Sequence, residues 1–296
     1  MQYKWSKIAL SLGFVASSMV LNNVQAQSLV GINTINQIGV FDSSNVAGAT
    51  FTNIIGLNDG ESLIGIDLRP SNNLLYGISN ANRLYTIDAY TGVAQFAFNL
   101  SSPIITSGTG YGVDFNPVAD RGTGASFRVV GTNGSNSAIN VNTGAVVAQT
   151  SIATGFSAIG YSNSDPTQTA APANTQLYYI NSANDTLSVA TIGFANPTIT
   201  LIGAIGIDIL RANGFELFSN NQAFAAINID DGTADSKLLS INLSTGASTL
   251  LGSFNGTLNG LTSAPSAVPV PAALPLMASA LGLFGLSRRR KVKAIA

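Results

Sequence analysis

A six-residue motif, Gly65-Ile66-Asp67-Leu68-Arg69-Pro70, returns 47 residues later as Gly112-Val113-Asp114-Phe115-Asn116-Pro117. A further 47 residues reaches a degenerate copy at Ile159-Gly160-Tyr161, and another reaches Gly206-Ile207-Asp208-Ile209. One more step arrives near residues 255–261, at the end of the polar body of the chain. A second pattern runs alongside the first, as Asp88-Ala89-Tyr90-Thr91-Gly92, Asn140-Val141-Asn142-Thr143-Gly144 and Asn242-Leu243-Ser244-Thr245-Gly246. A unit this short cannot bury its own hydrophobic face, so adjacent units must cover one another. Periods of about 40–50 residues mark propellers and solenoids.

Each unit reads as four short strands. In the clearest one, strands are expected over residues 63–68, 74–79, 83–88 and 93–99, with Asn, Gly, Pro and Ser between them. Those residue types supply the turn geometries that hairpins need. Segments such as Leu84-Tyr85-Thr86-Ile87 and Leu238-Leu239-Ser240-Ile241 are rich in strand formers. No helical periodicity of useful length runs between residues 28 and 263. The expected fold class is therefore all-β: a β-propeller of five blades, each of four antiparallel strands. Six blades is the alternative, because the unit over 156–203 is irregular. Residues 28–55 offer only three strands, at 29–32, 37–41 and 50–54, and the missing inner strand is expected from 258–263. Such closure removes an exposed sheet edge.

The 296-residue chain has no Cys and no His, which excludes disulfides, thiol and imidazole catalysis and the common zinc sites. Its net charge of -1 hides an asymmetry. All 14 acidic residues, but only six of the 13 basic ones, lie between residues 10 and 287. An acidic body with scattered Arg offers no stripe to track phosphates, so nucleic acid is excluded as a partner.

The remaining basic residues flank apolar runs at the two ends. Lys4 and Lys7 precede an apolar run over 8–21, and Val24-Gln25-Ala26 supplies small residues before a cut after Ala26. This reads as a secretory signal helix over 1–26, exporting a body over 27–263. Residues 264–271 form a Pro-rich linker and 272–287 a hydrophobic helix, followed by a basic tail, 288–296, that stays cytoplasmic. Val268-Pro269-Val270-Pro271, the apolar helix and Arg288-Arg289-Arg290 together resemble the PEP-CTERM sorting signal of Gram-negative bacteria, with Val270 where the family usually carries Glu. The resemblance implies recognition by an exosortase, a membrane protease, and a host that makes exopolysaccharide. It implies transient anchoring in the inner membrane through the C-terminal transmembrane helix, then delivery to the cell surface or matrix.

The body has a resemblance of its own. Gly65-Ile66-Asp67-Leu68-Arg69-Pro70, Leu75-Tyr76-Gly77, Leu84-Tyr85-Thr86-Ile87-Asp88 and Thr91-Gly92 are similar to the DUF4394 family, as are Gly112-Val113-Asp114-Phe115-Asn116-Pro117, Asp120-Arg121 and Arg128-Val129-Val130. The family is a domain of unknown function. The resemblance implies a propeller-like body and brings no catalytic residues.

Candidate chemistry rests on carboxylates. Asp67, Asp114 and Asp208 occupy equivalent repeat positions, and inner-strand carboxylates around a channel have the oxygen chemistry of a Ca²⁺ site. The competing expectation is that each accepts backbone N–H groups at a blade boundary. Asp230, Asp231 and Asp235 form a second calcium-like cluster without the closing Glu of an EF-hand. No catalytic pair stands out, so no enzyme activity and no obligatory cofactor are expected. The only Trp, Trp5, is lost with the signal, leaving Tyr90, Tyr111, Tyr161 and Tyr179 as aromatic candidates. The function expected is an exported, noncatalytic structural or binding component associated with extracellular polysaccharide. The alternatives are a carbohydrate-active or calcium-dependent surface enzyme and a protein-binding platform.

Overall fold

The computed structural model describes residues 25–122, 124 and 126–266. The signal run before residue 25, the sorting motif Val268-Pro269-Val270-Pro271, the apolar run and Arg288-Arg289-Arg290 lie outside the described residues. Among those described, no helix is long and apolar enough to cross a membrane.

Five four-stranded antiparallel sheets form a β-propeller. Blade 1 contains β1 (Ser28–Asn33), β2 (Gln37–Asp42) and β3 (Thr52–Asn53). Blade 2 contains β4 (Leu63–Leu68), β5 (Leu75–Ser79), β6 (Arg83–Ile87) and β7 (Ala94–Asn99). Blade 3 contains β8 (Tyr111–Phe115), β9 (Phe127–Gly131), β10 (Asn136–Asn140) and β11 (Ala145–Ala148), with a helical turn α1 (Pro117–Asp120) after β8. Blade 4 contains β12 (Phe156–Tyr161), β13 (Leu177–Asn181), β14 (Thr186–Ala190) and β15 (Thr200–Ala204). Blade 5 contains β16 (Ile209–Leu217), β17 (Ala223–Ile229), β18 (Lys237–Ile241) and β19 (Ser248–Ser253). The last strand, β20 (Leu258–Ser263), returns to blade 1 and pairs with β1, Val30 opposite Thr262 and Gly31 opposite Leu261. The blade count and the expected closure are both present.

Burial follows position within a blade. The inner strands β5, β9, β12 and β13 are buried at every residue, because both faces of each sheet meet another blade. The outer strands β7, β11, β15 and β19 are mostly exposed or half-buried. The apolar residues accordingly form five cores, one at each junction between blades. Ile32, Ile66 and Tyr85 join blades 1 and 2. Tyr76, Phe115 and Phe127 join blades 2 and 3. Val130, Ile159 and Tyr179 join blades 3 and 4, and Ile180, Phe215 and Ile227 join blades 4 and 5. Leu29, Phe41, Phe224 and Leu261 join blade 5 back to blade 1. An open array of five units would have four such junctions.

Local chemistry sets the turns. Asp88 Oδ1 accepts the Tyr90 and Thr91 N–H groups, both at 2.9 Å, and Gly92 takes φ +74°, which closes the β6–β7 hairpin. Asn242 does the same for Ser244 and Thr245 ahead of Gly246. The repeated Asp/Asn-x-x-Thr-Gly pattern is thus the turn between third and fourth strands. Arginines bridge blades. Arg69 Nε lies 2.6 Å from Asp120 Oδ1, tying blade 2 to α1, while Arg128 donates to the Tyr161 hydroxyl at 3.1 Å and to the Phe194 carbonyl at 2.9 Å, tying blade 3 to blade 4.

The inner strands approach one another closely. A Cβ at Gly112 would lie 2.7 Å from the Ile159 nitrogen and 2.8 Å from the Ala158 backbone. Backbone cannot move aside as a side chain can, so Gly112→Ala is expected to cost about 1–3 kcal/mol. Gly124 has nothing within 4 Å of such a Cβ. Thermal unfolding followed by circular dichroism should show a lowered Tm for Gly112→Ala, and a change of no more than about 0.5 kcal/mol for Gly124→Ala.

Candidate metal centre on the propeller axis

The motif that defines the repeat also defines its axis. β4, β8, β12, β16 and β20 are the innermost strands and contact one another in a closed circuit. Their equivalent segments are Gly65-Ile66-Asp67-Leu68, Gly112-Val113-Asp114-Phe115, Ala158-Ile159-Gly160-Tyr161, Gly214-Phe215-Glu216-Leu217 and Gly260-Leu261-Thr262-Ser263. Side chains alternate along a strand, so the first and third positions share a face. The third positions are Asp67, Asp114, Gly160, Glu216 and Thr262. Asp67, Asp114 and Glu216 each offer a carboxylate oxygen within 4.8 Å of the others, and all three are buried.

Asp208 is not among them. It is exposed, just before β16, and Glu216 occupies the position expected of it. The physical reason is the long segment 162–176 between β12 and β13, which pushes the next inner strand further along the chain than the repeat period. The cluster at Asp230, Asp231 and Asp235 also forms no ligand set. Asp231 Oδ2 is 2.8 Å from Lys237 Nζ, and the Gly256 N–H donates to Asp235 Oδ1. Hydrogen bonds from Lys237 and Thr233 hold the Asp231 carboxyl down at about 2. Ala26, the expected cleavage position, is exposed.

The axial carboxylates also link blades, as the competing expectation required. The Phe115 N–H donates to Asp67 Oδ2 at 2.7 Å, the Leu68 N–H donates to Thr262 Oγ1 at 3.1 Å, and the Thr262 hydroxyl donates to Asp67 Oδ1 at 2.7 Å. Glu216 Oε2 lies 3.2 Å from the same hydroxyl. The Tyr161 N–H faces Asp114, and the Ser263 N–H and hydroxyl face Glu216. In each case the third residue of one inner strand meets the N–H of the fourth residue on the next.

These bonds do not compensate the charge. None of the ion pairs among the described residues reaches the three carboxylates. Two like charges at this spacing repel by about 3–4 kcal/mol at an effective dielectric constant near 20. Burial pushes Asp67 up to about 7 against the hydrogen bonds from Thr262 and Phe115, and the charge of Asp120 adds to the rise. Asp114 is pushed well above the ordinary carboxylate range by burial and then by the charges of Asp67 and Glu216. Burial and the Asp67 charge do the same to Glu216, against hydrogen bonds from Thr262 and Ser263. Asp114 Oδ1 is buried with no hydrogen-bond partner at all.

Glu61, which sequence reasoning passed over, is the instructive contrast. It is also buried, but accepts from Ser79 Oγ and the Tyr85 hydroxyl at 2.6 Å each and pairs with Arg83 at 3.2 Å. Burial raises its carboxyl, and the hydrogen bonds from Ser79, Tyr85 and Asn58 with the Arg83 charge more than offset that, leaving it below its ordinary value.

A separate hollow lies away from the axis. About 410 Å³ opens between the β1–β2 turn, the 3-10 turn Val46–Gly48 and the segment leading from blade 5 into β20. Phe51 and the buried Phe254 supply aromatic surface, and Asn33, Gln37 and Asn255 line it with carboxamides. Asn33 Nδ2 donates to Gln37 Oε1 and Gln37 Nε2 to Asn53 Oδ1, both at 3.0 Å, so this polar edge is preorganised. No lining residue is ionisable. Leu258, beside the hollow, and Thr262, on the axis, are four residues apart on β20, about 13 Å at strand rise.

The chain matches the family described as "Domain of unknown function (DUF4394)" over residues 37–262 and belongs to it. No curated protein matches it. A crystal structure described as that of a candidate 6-phosphogluconolactonase from Bacteroides uniformis aligns with 77% of this chain and 82% of its own, at 10% identity and a TM-score of 0.41. At those values the likeness carries no argument about activity.

The raised carboxyls set a pH dependence. A folded-state pKa above the unfolded value stabilises the fold fully at pH below the unfolded pKa, and that contribution is lost as pH rises through the folded pKa. For Asp67 the window runs from its ordinary 3.8 to about 7. In chelator-containing buffer, Tm is therefore expected to fall between pH 5 and pH 8, with a smaller fall in Asp67→Asn. Differential scanning calorimetry at fixed ionic strength checks both.

Proposed function

We propose that this DUF4394 member is an exported, noncatalytic binding propeller that holds a neutral extracellular polysaccharide in the hollow between blades 1 and 5. A C-terminal sorting segment read by an exosortase would deliver it to the cell surface. The observation that carries the binding reading is that hollow: ligand-sized, walled by Phe51 and Phe254, edged by carboxamides and free of ionisable side chains. Sites of about 300–1,000 Å³ with an apolar wall and a few fixed polar groups are typical of small-molecule recognition. A neutral saccharide presents hydroxyls for Asn33, Gln37 and Asn255 and C–H faces for an aromatic ring.

The same feature supports a noncatalytic role over the enzyme alternative. Glycoside hydrolysis places two carboxyl groups across the scissile bond. The hollow has none, and the three clustered carboxylates sit buried on the axis. The Lys4–Lys7 signal run and the Val268–Pro271 motif with its Arg-rich end support the export and sorting part of the proposal.

The full-length chain is expected to be retained on neutral polysaccharide and released by free oligosaccharide. Phe51→Ala should weaken retention about tenfold or more at a temperature where the variant is folded; half-buried Phe51 also packs on the core between blades 5 and 1, so its Tm is expected to fall as well. Affinity electrophoresis in neutral and acidic polysaccharide gels checks this. Retention by no neutral polysaccharide, or equal retention of Phe51→Ala, would contradict the proposal.

A further inference from the structure

We infer that the propeller axis is a structural Ca²⁺ site made by Asp67, Asp114, Glu216 and the Thr262 hydroxyl, contributed by four of the five innermost strands. The inference is independent of the glycan hollow and of the export reading.

Two observations converge on it. The carboxylate oxygens of Asp67, Asp114 and Glu216 lie within 4.8 Å of one another. At Ca–O distances of 2.3–2.6 Å, opposite ligands on one ion are about 4.6–5.2 Å apart, so the existing spacing suits a shared Ca²⁺. Asp114 Oδ1 is a buried oxygen with no donor, on a side chain that is 3% exposed. A buried acceptor left without a partner loses its hydration with nothing in return, and a bound cation supplies the missing partner.

The donor chemistry selects the ion. Asp67, Asp114 and Glu216 each bring a carboxylate oxygen to the cluster and Thr262 adds its hydroxyl, an all-oxygen set of the kind that Ca²⁺ takes. Asp67 Oδ2 is already committed to the Phe115 N–H. Mg²⁺ keeps several waters in a strict octahedron and is bound through one or two carboxylates rather than by an all-protein cage of three. Zinc and copper favour imidazole or thiolate ligands, and this chain has neither His nor Cys. An ion here would neutralise the repulsion among the three carboxylates and replace it with bonds that join blades 2, 3 and 5 to the closing strand β20. Gly160, at the equivalent position in blade 4, leaves that blade outside the ligand set.

The test uses the full-length chain in detergent, stripped with EDTA and dialysed against ⁴⁵Ca²⁺. Uptake of one ion per chain is expected, with Tm higher by about 5–10 °C at 100 times the Kd. Mg²⁺ at the same concentration should raise Tm by less than a quarter of that. Asp114→Asn and Glu216→Gln should each weaken uptake at least tenfold while keeping the far-ultraviolet spectrum. A combined Asp230→Asn, Asp231→Asn and Asp235→Asn variant should take up one ion as the wild type does. If neither axial variant folds, that triple variant decides: retained uptake supports the axial site, and lost uptake overturns it. No uptake by the wild type, or undiminished uptake in folded Asp114→Asn, also overturns it.

Discussion

Five inner strands must pass within backbone contact of one another around a single axis, and every other feature of this protein is arranged around that crowding. A Cβ at Gly214 would meet the Leu261 nitrogen at 2.4 Å, and one at Gly65 would meet the Val113 side chain at 2.7 Å. Only glycine or alanine stands at the first position of each inner-strand segment. Two residues further along, the same geometry brings the third positions together, and there the chain places Asp67, Asp114, Glu216 and Thr262. The glycines permit the close approach. The polar layer uses it, because the N–H of the next strand comes within reach of the carboxylate: Phe115 to Asp67 is 2.7 Å.

Closure follows from the same constraint. Each blade is buried on both faces, so the first and last blades need one another as much as any internal pair. Phe41, Leu258 and Leu261 of blade 1 pack with Phe224 and Leu238 of blade 5, and β20 adds its backbone hydrogen bonds to β1. The outer strands carry less of this load. They tolerate exposed Phe96, Leu201 and Leu250, whereas the four-residue axial segments of the innermost strands carry no exposed side chain. The two regions therefore differ in kind. The axial carboxylates are buried in the framework, and the uncharged hollow lies at the surface of the blade 1–blade 5 junction.

Much of this was legible in the sequence because strands are local and turns have chemical signatures. β4 and β20 fall at the expected residues, and Leu258–Ser263 was identifiable as the missing inner strand because blade 1 alone lacked one. The phase of the repeat was not legible through blade 4. A fixed step of 47 residues selects Asp208, and the 162–176 segment displaces the true equivalent to Glu216. The signal that finds it is the pattern itself: Gly214-Phe215-Glu216-Leu217 reproduces the glycine, apolar, acidic, apolar order of Gly65-Ile66-Asp67-Leu68. Glu61 escaped notice because its partners Ser79, Arg83 and Tyr85 lie on two later strands. The hollow escaped for the same reason, being assembled from three segments more than 200 residues apart at their extremes.

Hydrogen exchange tests the closed ring most directly. If the circuit of inner strands is one cooperative unit, the amides of β1 and β20 exchange only through global unfolding, at the same free energy as those of β8 and β12. The Leu68 and Phe115 amides, which bond across blades to Thr262 and Asp67, belong to that slowest class. Faster exchange confined to β1 and β20, with β8 and β12 still protected, would show a seam that opens by itself and would contradict the account.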